Sequence, residues 1–143
     1  MPHRIHIVCF DVGGVIVQHC RTWQEGCHAA GLPLRAGADD PILSARRKEL
    51  ASLLTTGRIT EHEFFSFVAT ATAGIYTPAE VERIHHAWLG PEYPDVGPVI
   101  DRLTAAGKAH HLLTASSPEA LRAQRAFSKA LWSLQPLGAP LTL

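Results

Sequence analysis

Residues 5–17 of the chain read IHIVCFDVGGVIV. The first six of them are largely apolar and rich in Ile and Val, which predicts a strand buried on both faces of a parallel sheet. Asp11 follows directly, at the carboxyl end of the predicted strand. Because open α/β sheets bind their ligands at the carboxyl ends of the strands, Asp11 is the first candidate for a functional residue.

The residues around Asp11 suit an anion and a metal ion. A carboxylate is costly to bury unpaired, so it needs a cation, hydrogen-bond donors or a covalent role. Gly13 and Gly14 let the backbone turn sharply and bring N–H groups close to a ligand. A plain strand followed by a turn, in which Asp11 accepts from nearby backbone N–H groups, explains the same residues. The stretch by itself leaves both interpretations open.

Residues 10–17, FDVGGVIV, resemble the first motif of the haloacid dehalogenase-like hydrolase superfamily, a hydrophobic strand followed by Asp-x-Asp-Gly-[Thr/Val]. Gly13 replaces the second Asp, as it does in some members. The resemblance implies that Asp11 is a nucleophile that accepts a phosphoryl group, with Mg²⁺ held by its side chain and by the Gly13 carbonyl. It also implies that Val12 and Gly13 contribute donors to the substrate phosphate.

The composition is that of a single folded domain, or of a core with a small insert. Among the 143 residues 46% are hydrophobic and 18% are charged, and 13 basic residues balance 13 acidic ones. This balance favours neither nucleic acid nor an anionic membrane as a partner.

The chain lacks a secretory signal pattern and an apolar run of the roughly 18 residues that a membrane span needs. Its three cysteines show no disulfide spacing, so we expect a cytoplasmic protein.

Helical patterns fill residues 19–90 and predict about four helices without a strand among them. The spacings Thr60–Glu63 and Thr77–Glu80 are capping boxes, which mark two of the helix starts. A helical insert of this size is similar to the cap that the superfamily often carries between its first and second motifs. We therefore expect residues 1–18 and 91–143 to form the first half of a Rossmann-like core, and residues 19–90 a four-helix cap.

A second strand is predicted over residues 109–115, after a helix over residues 98–106. Residues 112–117, LLTASS, resemble the second superfamily motif, a hydrophobic strand that ends in Thr or Ser. The resemblance implies that Thr114 holds the transferring phosphoryl group opposite Asp11, with Ala115 beside it where members usually have Asn. The alternative is a strand end followed by a helix with Ser117 as its N-cap.

Two later superfamily elements, a Lys or Arg that neutralises the phosphate and an acidic motif on a further strand, are not recognisable. Glu119 is the only acidic residue after Thr114. Residues 131–143 have no clear period and contain two prolines, so they do not predict the missing strands. We expect a truncated or frame-disrupted member, with an uncovered sheet edge through which copies of the chain could associate.

The predicted fold is therefore an incomplete α/β Rossmann-like core with a helical cap. The predicted function is Mg²⁺-dependent hydrolysis of a small phosphorylated substrate through an aspartyl-phosphate on Asp11. Dehalogenase and phosphoglucomutase-like activities share this nucleophile and stay open. A non-catalytic fragment or interaction protein is the alternative of a different class. A nucleotide-binding domain is less favoured, because a Gly-x-Gly-x-x-Gly spacing is missing.

Overall fold

The computed structural model describes residues 5–112 and 135–136. Contacts divide the chain into two compact units, Met1–His19 with Pro91–Leu143, and Cys20–Gly90. We call the first the α/β unit and the second the helical unit. The elements in chain order are β1 (Ile7–Phe10), β2 (Val17–His19), α1 (Trp23–Ala29), α2 (Pro41–Thr55), α3 (Glu61–Ala71), α4 (Pro78–His86), β3 (Leu89–Glu92), α5 (Val96–Ala105), β4 (Ala109–Leu112) and β5 (Gln135–Pro136).

The main sheet has the strand order β1-β4-β5, and both pairings are parallel. Ile7 lies opposite Ala109, and Phe10 lies opposite Leu112. The chain reaches β4 through α5, as a parallel crossover requires. The α/β class with a parallel sheet is thus confirmed. Among the described residues, β2 and β3 form a second, two-stranded sheet.

Two strands occur where the sequence did not predict them. Residues 131–143 were expected to lack a strand, yet Gln135–Pro136 forms β5 and pairs in parallel with β4. Leu89–Glu92 forms β3, which begins within residues 19–90, where no strand was predicted. Both predictions were wrong because strands this short are defined by pairing with a distant partner, which local propensity does not report.

The prediction that β1 is buried on both faces was also wrong. Ile7 is 58% exposed and Cys9 is exposed, whereas Val8 and Phe10 are partly buried. Neighbouring residues of a strand point to opposite faces, so one face of β1 is covered and the other is open. An apolar run indicates a strand but does not reveal which of its faces another element covers.

The helical unit has its own apolar core, built by α1 to α4 and the segments that connect them. Its buried members are Cys27, Ala38, Leu50, Phe64, Phe65, Val68, Ala69, Tyr76, Val81 and Ile84. Both predicted capping boxes are present, with Thr60 accepting from the N–H of Glu63 and Thr77 from that of Glu80. None of the helices in the described part of the chain is both long and apolar enough to cross a membrane.

Candidate functional site

Asp11 is the first residue after β1, and its side chain is exposed. Its Oδ1 accepts a hydrogen bond from the backbone N–H of Val12 at 2.7 Å. The Val12 side chain points the other way and is fully buried. The buried valine therefore anchors the backbone at this point, while the carboxylate beside it remains accessible to a ligand.

A tight loop follows, and the carbonyl of Val12 organises it. This oxygen accepts from the N–H groups of Ile16 at 2.9 Å and Val17 at 3.0 Å, and more weakly from that of Val15 at 3.4 Å. The N–H of Gly14 donates to the carbonyl of Val17 at 2.7 Å, which closes the loop. Since the side chains of Ile16 and Val17 are also fully buried, the loop is fixed at both ends.

Gly14 is required in this loop for two reasons. Its φ is +76°, in the left-handed region that other residues rarely adopt. A Cβ at this position would also lie 3.0 Å from two atoms of the His19 ring. The sequence analysis assigned a sharp turn to the glycine pair, and the structure gives this role to Gly14.

A shallow apolar cavity of about 420 Å³ lies beside the loop. The N–H of Tyr93 donates to the carbonyl of Ile16 at 2.9 Å and joins the segment after β3 to the loop. The cavity is lined by Phe10, Gly14, Val15, Ile16, Tyr93, Asp95, Val96 and Val99. The sequence analysis did not single out Tyr93 and Asp95, because they lie in a Pro- and Gly-rich stretch that resembles neither superfamily motif. An aromatic residue and an acidic residue directly before a helix were the available signal.

The second candidate residue, Thr114, lies outside the described residues, as does Ala115. The structure does describe β4 as far as Leu112, two residues before Thr114 in the sequence. Leu112 pairs with Phe10, the residue before Asp11. The described strands β1 and β4 therefore run side by side toward the edge of the sheet at which Asp11 stands.

No protein-family model and no curated protein matches this sequence. Solved structures do match. A HAD family enzyme from Bacteroides thetaiotaomicron superimposes with a TM-score of 0.61 and 13% identity, over 82% of this chain and 56% of that one. Its complex with magnesium and inorganic phosphate gives a TM-score of 0.58 and 13% identity, over 83% and 57%.

The L-2-haloacid dehalogenase from Xanthobacter autotrophicus, with chloropropionic acid covalently bound, gives a TM-score of 0.58 and 20% identity. The match covers 93% of this chain and 56% of that one. The chain has the haloacid dehalogenase-like fold. The resemblance seen in residues 10–17 is thereby confirmed at the level of the fold. This chain spans little more than half the length of these neighbours, 56–57%.

The predicted phosphate donors in the loop after β1 are not equivalent. The N–H of Val12 is already bonded to Asp11, so it orients the carboxylate in the structure as it stands. The N–H of Gly14 is bonded to Val17. Gly13 is partly exposed and lies between these two bonded positions, in a bridge to Val17. A phosphate that used the Val12 N–H would therefore have to share this donor with Asp11.

The loop offers ligands of the kind that Mg²⁺ prefers. Mg²⁺ takes oxygen ligands in near-octahedral geometry and usually keeps several waters, with one or two carboxylates from the protein. The exposed Asp11 carboxylate fits this donor set. The Gly13 carbonyl fits it too, since it accepts none of the loop hydrogen bonds described above. Across residues 5–112, no three His, Cys, Asp or Glu side chains are grouped closely enough to hold a metal together.

Proposed function

We propose that this chain carries the nucleophile of a haloacid dehalogenase-like hydrolase that acts on small phosphomonoesters. The observation that carries the proposal is the exposed Asp11 carboxylate, held by the Val12 N–H at the carboxyl end of a parallel strand. The likeness to a HAD family enzyme that was solved with magnesium and inorganic phosphate supports the proposal.

The proposed reaction has two steps. A carboxylate oxygen of Asp11 attacks the phosphorus in line and the bond from phosphorus to the ester oxygen breaks. The departing oxygen takes a proton from solvent water and leaves as an alcohol. Water then hydrolyses the aspartyl-phosphate, releases inorganic phosphate and restores the carboxylate. The Val12 and Gly13 N–H groups and the Thr114 and Ala115 positions are the proposed phosphate-binding groups, and Thr114 is the proposed catalytic partner of Asp11.

Asp11 and the carbonyl of Gly13 would hold Mg²⁺, whose charge offsets that of the phosphoryl oxygens. Gly13 has no side chain to protonate the leaving group. General acid–base catalysis of that kind typically contributes about 10²- to 10⁴-fold. We therefore propose that good leaving groups are hydrolysed faster than poor ones, by a wider margin than in an enzyme with an acid at this position.

We propose that residues 19–90 act as the cap of this hydrolase, which excludes water and selects the substrate. The helical unit has the independent core that such a role needs.

We also place the protein in the cytoplasm, a proposal supported by its free cysteines, Cys9, Cys20 and Cys27. Self-association through an uncovered sheet edge remains a prediction.

The second candidate is hydrolytic dehalogenation of a 2-haloacid. It is favoured by the likeness to an L-2-haloacid dehalogenase that carries covalently bound chloropropionic acid. The same carboxylate would attack the carbon that bears the halogen, displace halide and form an ester, which water would then hydrolyse to the 2-hydroxy acid and the free carboxylate. A non-catalytic interaction protein is the third candidate, supported by the absence of recognisable later motifs.

One assay separates the three candidates. Purified chain is incubated with a chromogenic aryl phosphate, with and without Mg²⁺, and in parallel with 2-chloropropionate. Phosphate release that requires Mg²⁺ would support the phosphatase. Chloride release would favour the dehalogenase. Turnover of neither compound by a chain whose circular dichroism shows it to be folded would contradict both enzymatic proposals.

A further inference from the structure

The helical unit contains a partly enclosed histidine pair at the interface of α3 and α4. His85 packs against the rings of Phe64 and Phe65, with centroids 5.4 and 5.5 Å away. Its side chain is only 27% exposed. The adjacent His86 is exposed and touches Phe65 at its edge, with centroids 5.9 Å apart. The two histidines therefore share a neighbour but differ in their contact with water.

The charged and titratable groups that face His85 are few. From α3, Oε1 of Glu61 lies 3.8 Å from Nε2 of His85, beyond the range of a good hydrogen bond. From its own helix, the His86 ring lies 6.0 Å away. On the side of α4 that faces α1, the apolar residue Ile84 lies against Gly26. The Glu61 carboxylate, which lies within ion-pairing range at 3.8 Å, is thus the main group that could compensate a charge on His85.

We propose that His85 is an acid-sensitive latch: protonation of its imidazole, wedged between Phe64 and Phe65, weakens the packing of α4 on α3 and loosens the helical unit. The inference is independent of the proposed hydrolase function, because it concerns the stability of the helical unit alone.

The physical reason is desolvation. A charged imidazolium between two aromatic rings loses water that the unfolded chain would supply. Burial lowers the pKa of His85, the nearby Glu61 raises it in part, and His86 lowers it further. The folded state therefore binds this proton more weakly than the unfolded state does. The contribution of neutral His85 to the stability of the fold is therefore fully present above the ordinary histidine pKa of 6.5. It is lost as the pH falls from that value through the lowered pKa of the folded state.

Hydrogen exchange of the full chain tests the latch. Peptides from α3 and α4 are followed between about pH 7.5 and about pH 5.5, which brackets the ordinary histidine value of about 6.5, with α5 as the internal reference for the intrinsic rate. In the wild type, protection of α3 and α4 relative to α5 is expected to fall on acidification. His85→Phe keeps an aromatic ring at the position and is expected to abolish this fall.

His86→Gln is the matched control, since it removes the exposed neighbour and is expected to leave the fall intact. An unchanged pH dependence in His85→Phe, or its loss in His86→Gln, would overturn the proposal. If His85→Phe does not fold, the NMR titration of His85 in the wild type decides. A midpoint below that of a histidine model peptide is expected, lower still in Glu61→Gln, and a midpoint at or above the peptide value would refute the latch.

Discussion

The backbone N–H of Val12 donates to Oδ1 of Asp11 at 2.7 Å, so the candidate nucleophile is held by the residue that follows it. This bond orients one carboxylate oxygen toward the backbone. The burial of the Val12 side chain fixes the donor, because moving it would expose an apolar group. An accessible carboxylate on a fixed backbone is the arrangement that nucleophilic catalysis requires.

Asp11→Asn is expected to reduce any hydrolytic turnover to the background rate. An amide oxygen can still accept from Val12, so the loop should persist while the nucleophile is lost. The free energy of unfolding is expected to change by no more than about 0.5 kcal/mol, as for substitutions outside packed or networked sites. Turnover is measured by phosphate or halide release, and stability by urea unfolding.

The control for Asp11→Asn is Asp101→Asn, which neutralises another exposed carboxylate of the α/β unit. It should retain wild-type turnover. Equal activity of Asp11→Asn and Asp101→Asn would remove Asp11 from the mechanism.

Gly14→Ala is expected to destabilise the α/β unit through its backbone and through a steric contact. The left-handed conformation costs about 1–2 kcal/mol for a residue with a Cβ. The new methyl group would also lie 3.0 Å from the His19 ring. Gly107→Ala isolates the first cost, because Gly107 has a φ of +65° and no atom within 4 Å of its Cβ position.

Chemical unfolding of both glycine variants gives the comparison. The loss of unfolding free energy should be greater for Gly14→Ala than for Gly107→Ala, and the difference is the cost of the contact with His19. An equal loss in both would show that His19 moves aside freely.

Tyr76→Phe is expected to lower the free energy of unfolding by about 1–3 kcal/mol, the usual cost of leaving buried polar groups unpaired. The buried hydroxyl donates to the carbonyl of Pro33 at 2.9 Å and accepts from the N–H of Arg35 at 2.9 Å. It also lies 3.3 Å from the buried thiol of Cys27. The same change at the half-buried Tyr93 is the comparison and should cost less. A neutral Tyr76→Phe would indicate that water replaces the hydroxyl.

Glu80 links α4 to the segment before α2, because both its carboxylate oxygens accept from the guanidinium of Arg35. These bonds, with those from Thr77, hold the pKa of Glu80 at about 2, below its ordinary 4.5. Because the pKa of Glu80 is lower in the folded state, its ionised carboxylate stabilises the fold fully when the pH is above the unfolded-state pKa of about 4.5. This stabilisation is lost as the pH falls from about 4.5 to about 2.

Glu80→Gln should therefore be less stable than the wild type at neutral pH, and the two should converge in acid. Glutamine can replace glutamate in a capping box, so the helix start is kept. Glu63→Gln provides the control, since Glu63 caps α3 in the same way but has its pKa lowered mainly by bonds from Thr60 and less by His62, not by a guanidinium. Thermal unfolding across this pH range measures both variants. A pH-independent difference between wild type and Glu80→Gln would contradict the role assigned to the charge.

Local chemistry explains what could be predicted from the sequence. The starts of α3 and α4 were predicted because a Thr and a Glu three residues apart satisfy each other's backbone groups within one helical turn. About four helices were predicted from periodicity over residues 19–90, and α1 to α4 lie there. Asp11 was placed at a strand end because an apolar run stops there. Each of these features depends on neighbours within a few residues.

The sequence by itself thus determined the helices, the α/β class and the position of the candidate nucleophile. Only the tertiary structure decided that one face of β1 is open, that Gln135–Pro136 pairs with β4, and that Tyr93 bonds to Ile16. It also showed that the Val12 N–H is already bonded to Asp11. Burial and strand pairing depend on residues that are distant in the chain, and a local pattern does not specify which distant segment will supply the partner.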